Sequence, residues 1–74
     1  MDEYQGIGWA IEMMRQGKRV YREGWNGKHA IGLQIPDEHS KMTLPYVYIC
    51  TQQGHRVPWL CSQSDLLADD WEVR

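Results

Sequence analysis

Eight consecutive residues, Tyr21-Arg22-Glu23-Gly24-Trp25-Asn26-Gly27-Lys28, hold two aromatic rings, two cations, two glycines and an amide. Such a set can bind a nucleotide without transforming it. The Trp25 ring offers a face on which a base can stack. Asn26 carries the paired donor and acceptor that match a base edge. Gly24 and Gly27 let backbone N–H groups come close to a phosphate, and Arg22 and Lys28 supply positive charge. The same residues also describe a hairpin whose Trp25 only caps a core, and composition does not separate the two.

A second cluster runs from Pro58 to Val73. Ser62 and Asp65 have the Ser-x-x-Asp spacing of a capping box, which explains both structurally. Gln63 sits between them with no capping duty, in the first residues of a short helical turn whose N-terminus favours anions. Asp65 can also accept from a ribose hydroxyl. Trp59 and Trp71 bracket the turn, and one is expected in the core while the other lines a site.

Catalytic constellations are missing. The chain has no Gly-x-Ser-x-Gly elbow, no Gly-x4-Gly-Lys phosphate loop and no Gly-x-Gly-x-x-Gly after a strand. Asp69 and Asp70 are adjacent carboxylates on a chain leaving a helix, which usually point apart and read as a solvated turn. Cys61 with His55 has the types of a thiolate pair, but nothing in the sequence orients that histidine. No ligand pair among Cys50, Cys61, His29, His39 and His55 has a zinc spacing. The chain therefore reads as a binder, not an enzyme, with no catalytic residue, no metal and no cofactor.

Charge narrows the ligand. The formal net charge is −2, yet Arg15, Lys18, Arg19, Arg22 and Lys28 form a basic stretch broken only by Glu23. Duplex nucleic acid is a poor match, because counterion release needs many cations. A small anion fits better. No apolar run approaches the roughly 20 residues of a membrane-spanning helix, and the acidic start is unlike a secretory signal. A cytoplasmic protein with reduced Cys50 and Cys61 is the expectation.

These groups must be positioned by very little chain. Residues 1–74 make one domain, and one this small buries only roughly 60% of its unfolded surface. All eight aromatic residues are Trp or Tyr, four of each, rings suited to sit half in a core and half at a contact surface. An oligomer is the expected source of further burial. Ile7, Ala10, Ile11 and Met14 form one apolar helical stripe, Trp9 and Met13 lie beside it, and Gly17 is a natural stop. Lys18–Arg22 reads as a short strand, and Gly24–Gly27 as a turn. Ile31, Leu33 and Ile35 give one buried face of a second strand, and residues 36–45 form a loop. Val47 and Ile49 alternate in a third strand, and Gln52-Gln53-Gly54 turns into His55-Arg56-Val57, where Pro58 either ends the pairing or places it at an edge. A helical turn from Ser62 to Ala68 and a last strand at Trp71-Glu72-Val73 follow. The fold class is α+β: one N-terminal helix packed on a small, mainly antiparallel sheet, plus a short helical turn near the C-terminus.

Two motifs in order, Arg22-x-Gly24-Trp25-Asn26-Gly27-Lys28 and Pro58-Trp59-Leu60-x-Ser62-Gln63-x-Asp65-Leu66-Leu67-Ala68-x-Asp70-Trp71, follow a Gly-ended helix. From about Ile7 to Val73 the chain resembles a family of small phage and bacterial domains that includes the second Thoeris anti-defence protein. The resemblance implies a phage protein of the host bacterial cytosol that sequesters a nucleotide immune signal without cleaving it. That signal would be a glycocyclic ADP-ribose isomer or a cyclic oligonucleotide. It also implies a homotetramer, a dimer of dimers, with pockets at subunit interfaces. Trp25 and Asn26 match the pocket-forming pair of the first motif; Trp59, Gln63, Asp65 and Trp71 match the second. Two departures, a short 36–45 stretch and Tyr48 and Cys50 where polar residues are expected, bear on ligand identity more than on fold. The alternative is a small structural or interaction module of a phage assembly that binds protein through its Trp and Tyr surfaces.

Overall fold

A computed structural model describes residues 5–25, 29–51 and 53–74. Helix α1 (Ile7–Arg15) comes first and ends at Gly17, whose φ of 91° suits glycine. The Gly17 N–H donates to the Met14 carbonyl at 3.0 Å and the Lys18 N–H to that of Met13 at 3.1 Å, the paired bonds of a Schellman stop. Ala10 and Met14 are buried as their spacing predicts, and Ile7, Trp9 and Met13 pack beside them. Ile11 departs from the expected stripe. It is 38% exposed, because the helix is turned so that Trp9 and Met13 share the contact.

Five strands follow: β1 (Val20–Arg22), β2 (Ala30–Gln34), β3 (Tyr46–Cys50), β4 (Arg56–Pro58) and β5 (Trp71–Val73). They form one sheet in the order β4-β3-β2-β1-β5, every neighbouring pair antiparallel. The expected fold class is what the chain adopts. β1 begins at Val20 rather than Lys18, since pairing with both neighbours starts there. Register aligns Val73, Val20, Ile31, Ile49 and Val57 in one apolar row across all five strands. The helix α1 packs over the β5, β1 and β2 part of that face. Ala10, Met14, Val20, Ile31 and Trp71 form the core there. Ile35, expected on the buried face, lies past the end of β2 and is 62% exposed.

The opposite face is covered by its own side chains. The Arg74 guanidinium carbon lies 4.3 Å from the Tyr21 ring centre, and that of Arg56 lies 5.3 Å from Tyr48. Tyr48 is buried and lies over Gly32, where an added Cβ would come within 2.8 Å of its hydroxyl. Between β3 and β4 the Gly54 N–H donates to the Thr51 carbonyl at 3.0 Å with φ 89° at the glycine, as the turn residues predict. Of that predicted turn, Gln52 lies outside the described residues.

From β4 the chain crosses to β5 through α2 (Gln63–Leu66). The Asp65 N–H donates to the Ser62 hydroxyl at 3.1 Å, so Ser62 is the N-cap the sequence predicts. Gln5 ties the start of the described chain to β5. Its side-chain amide donates to the Trp71 carbonyl at 2.6 Å, and the Trp71 N–H donates to the Gln5 carbonyl at 3.1 Å.

Candidate ligand-binding site

The two sequence motifs meet in one cluster. Trp25, Trp59 and Trp71, up to 46 positions apart in the chain, pack edge to face. Ring centres are 5.3 Å apart for Trp25 and Trp71, 6.0 Å for Trp59 and Trp71, and 6.4 Å for Trp25 and Trp59. Such edge-to-face contacts exceed plain burial by about 0.5–1.5 kcal/mol each. The division expected of the Trp59 and Trp71 pair holds for burial: Trp71 is 0% exposed, while Trp59 and Trp25 are half-buried. Trp71 therefore forms the floor on which the other two rings stand. Its indole N–H is buried with no hydrogen-bond partner among the described residues.

A charged node borders the rings. The register that pairs Arg22 with Trp71 sets the arginine beside the tryptophan cluster. Arg22 Nε donates to Asp70 Oδ1 at 2.8 Å, and Nη1 donates to Asp65 Oδ1 at 2.9 Å. Trp25 Nε1 donates to the same Asp65 oxygen at 3.4 Å. Side-chain exposures are 24% for Arg22, 15% for Asp65 and 30% for Asp70. The Asp65 carboxylate thus faces Arg22 and Trp25, and the reciprocal half of the capping box is not made. The hydrogen bond from Arg22 holds the Asp70 carboxyl below its usual range, and the Asp70 and Asp65 bonds push Arg22 upward.

Asp70 is the member of this node that sequence reading missed. Asp69 is exposed, whereas Asp70 is half-buried and bound to Arg22. What recruits Asp70 is the pairing of β5 with β1, which brings together residues 48 positions apart, and no local pattern announces it. Gln63 is exposed at the start of α2. The remaining residues of the first motif, Asn26, Gly27 and Lys28, lie outside the described residues.

The cysteine beside the cluster is not activated. Cys61 is exposed, and its thiol donates to the Ser62 carbonyl at 3.5 Å. Burial of the sulfur, and then the Asp65 charge, push its thiol upward, towards the unreactive protonated form. A groove of about 430 Å³ lies apart from the cluster, lined by Ile11, Leu33, Ile35, Pro45, Tyr46 and Val47 with Arg15 as its charged group. It has volume but few groups that could read a polar ligand. The tryptophan cluster carries the polar groups, and it is the better candidate on chemistry.

Comparison with known proteins agrees with the motifs. Residues 5–74 match the family model of the Thoeris anti-defense 2-like domain. The chain is also similar to the protein named Thoeris anti-defense 2 of Bacillus phage SP01, at 30% identity over 87 aligned positions covering 99% of this chain and 98% of that protein. Those positions outnumber the 74 residues here, so that relative carries insertions this chain lacks.

Proposed function

The chain belongs to the Thoeris anti-defense 2-like family, and from that premise we propose that it is a phage anti-defence protein that sequesters a nucleotide-derived immune signal without cleaving it. The signal is a cyclic ADP-ribose isomer, with a cyclic oligonucleotide as the second candidate, and the setting is the host bacterial cytosol. The observation that carries the binding site is the tryptophan cluster: two half-buried rings on a buried third, bordered by hydrogen-bonding groups. Trp25 and Trp59 stack on the base. Asp65 accepts from ribose hydroxyls, Gln63 reaches the ligand from the start of α2, and Asn26 and Lys28 of the first motif bind it too. Gly27 gives close backbone approach, Arg22 borders the site, and Trp71 supports it from below. Sequestration demands affinity and stoichiometry and no transition-state stabilisation, which suits rings and amides beside a protonated thiol.

The proposed working form is a homotetramer, a dimer of dimers. Support comes from large apolar side chains left in water: Leu60 at 91%, Leu67 at 76%, Leu44 at 74% and Ile35 at 62% exposure. Leu60 and Leu67 flank α2, whereas Leu44 and Ile35 flank the apolar groove, giving two separate sticky regions per chain. The same residues also favour the alternative of an interaction module that binds protein.

The test is depletion and release. Protein is incubated with the glycocyclic ADP-ribose signal, then denatured, and intact ligand is assayed before and after. Depletion followed by full recovery is the expected result. Depletion without recovery means an enzyme, and no depletion removes this ligand. Native mass spectrometry with both candidate ligands reports subunit number and stoichiometry together. Under the alternative, Trp25→Ala disrupts assembly with no ligand capture to lose.

A further inference from the structure

We propose that Asp70, acting through Arg22, is a positioning residue for the Trp25 indole, an inference that rests on the reading of Trp25 as the ligand-stacking ring. The geometry forms a relay across four segments: Asp70 at the entrance to β5, Arg22 on β1, Asp65 on α2, and Trp25 in the turn after β1. The Trp25 backbone is set by its N–H bond to the Arg22 carbonyl at 3.0 Å. Among the described residues, its ring makes one polar bond, to Asp65 at 3.4 Å. Asp65 is in turn oriented by Arg22, and the Arg22 guanidinium is held at its other edge by Asp70. A second tie, from the Glu23 N–H to the Asp70 carbonyl at 3.1 Å, fixes the backbone that carries Asp70 against the start of the turn.

The chemistry of guanidinium makes the relay directional. Its planar fork presents Nε–H and Nη–H in fixed directions, so two separate carboxylates can be held at once; a lysine ammonium has no such plane. Two carboxylates share one cation, so the node carries net negative charge. If Arg22 lets go, Asp65 and Asp70 repel, and Asp65 loses the partner that turns it towards Trp25. If Asp70 is neutralised, the charge-assisted bond that holds the Nε edge of Arg22 weakens to a neutral one, and the guanidinium swivels more easily about its bond to Asp65.

The experiment compares wild type with Asp70→Asn, Arg22→Lys, their combination, and Asp69→Asn as an exposed neighbour outside the relay. Two readouts are needed. The far-ultraviolet exciton couplet of the packed indoles reports the Trp25 orientation without any ligand, and depletion of glycocyclic ADP-ribose reports binding. Asp70→Asn is expected to weaken the couplet and lower affinity about tenfold, the range of a directly coupled contact, with Asp69→Asn unchanged. Arg22→Lys keeps the charge and does not restore the couplet, and the double variant is no worse than the stronger single. A folded Asp70→Asn protein with an unchanged couplet overturns the relay, as do effects that simply add. If Asp70→Asn fails to fold, Arg22→Lys decides alone: an unchanged couplet there refutes the proposal. Wild-type protein that takes up no ligand defeats the sequestration reading, while the couplet still decides the relay.

Discussion

The tryptophan cluster and the groove beside α1 differ in what holds them and in what they could hold. The cluster is closed by three interlocked rings and an arginine bound to two carboxylates. The groove is open and lined almost wholly by apolar side chains, with Ile35 at its rim 62% exposed. One region has specific chemistry and little room; the other has room and little chemistry. Concavity in a lone 74-residue chain is thus a poor guide to where a polar ligand is read. Orientation of polar groups needs a fixed floor, which buried Trp71 gives the cluster.

The largest expected effect tests that floor. Replacing Trp71 by Ala removes a ring that is 0% exposed and should cost about 3–5 kcal/mol. A domain of this length has roughly 4–11 kcal/mol in total, so urea unfolding should show a chain close to its limit. Ile35→Ala, at the groove, should change stability by less than about 0.5 kcal/mol. A large loss there would mean that the groove is covered in the assembled protein, and the contrast would fail. Trp71→Phe sharpens the point. It keeps most of the ring and deletes a buried N–H without a partner, a defect worth about 1–3 kcal/mol, so it should cost far less than the alanine.

Next in size is the seat of Asp65. Ser62→Ala deletes the hydroxyl that caps the Asp65 N–H and should lower stability by about 1 kcal/mol in a thermal melt. α2 is only four residues long, so loosening its first turn should also disturb the Arg22 bond and reduce the indole couplet. The groove has no contact with α2 residues and should be indifferent. A cap loss that leaves the couplet intact would show that Arg22 alone orients Asp65.

Acid should separate the regions in the same direction. Asp70 has a folded value held below its ordinary one. Its contribution is therefore complete above the unfolded carboxylate value of about 4 and is lost as pH falls through the lower folded value. Arg22 is raised and stays charged throughout that range. Wild type should lose stability below about pH 4 more steeply than Asp70→Asn, and an identical acid limb in both would mean the ion pair contributes nothing. A substitution such as Ile35→Ala should leave that limb unchanged.

Much of this contrast is legible in the sequence, but unevenly. The helix stop at Gly17, the Ser62 cap and the Gly54 turn are local devices, each complete within a few residues. That Trp25, Trp59 and Trp71 converge within one chain is written in neither motif, and which ring becomes the floor depends on β5 lying beside β1. That pairing also decides Asp70. Read locally, it is one of two adjacent carboxylates in a turn; across the sheet it faces Arg22. Ile11 and Ile35 failed for a related reason. Periodicity marks them apolar, but the helix covers only one part of the sheet, and nothing in the spacing says where that cover ends.

The smallest effect probes the charge left over at the node. Cys61 is exposed, yet its thiol is raised, first by burial of the sulfur and second by the Asp65 carboxylate. If Arg22 fully neutralised Asp65, the second cause would vanish and the thiol would sense only its surroundings. The node holds two carboxylates to one guanidinium, so some negative field should remain. Alkylation by iodoacetamide at neutral pH should therefore be slower than for a free thiol and should quicken modestly in Asp65→Asn. The gain should be smaller than the gap that persists, because burial is the larger cause. Asp70→Asn should leave the rate near that of wild type, since Asp70 is not among the groups that raise this thiol. A rate that ignores Asp65 and follows Asp70 instead would mean that the cation sits with Asp65 and that the node's spare charge lies on the β5 side, away from the helix and from Trp25.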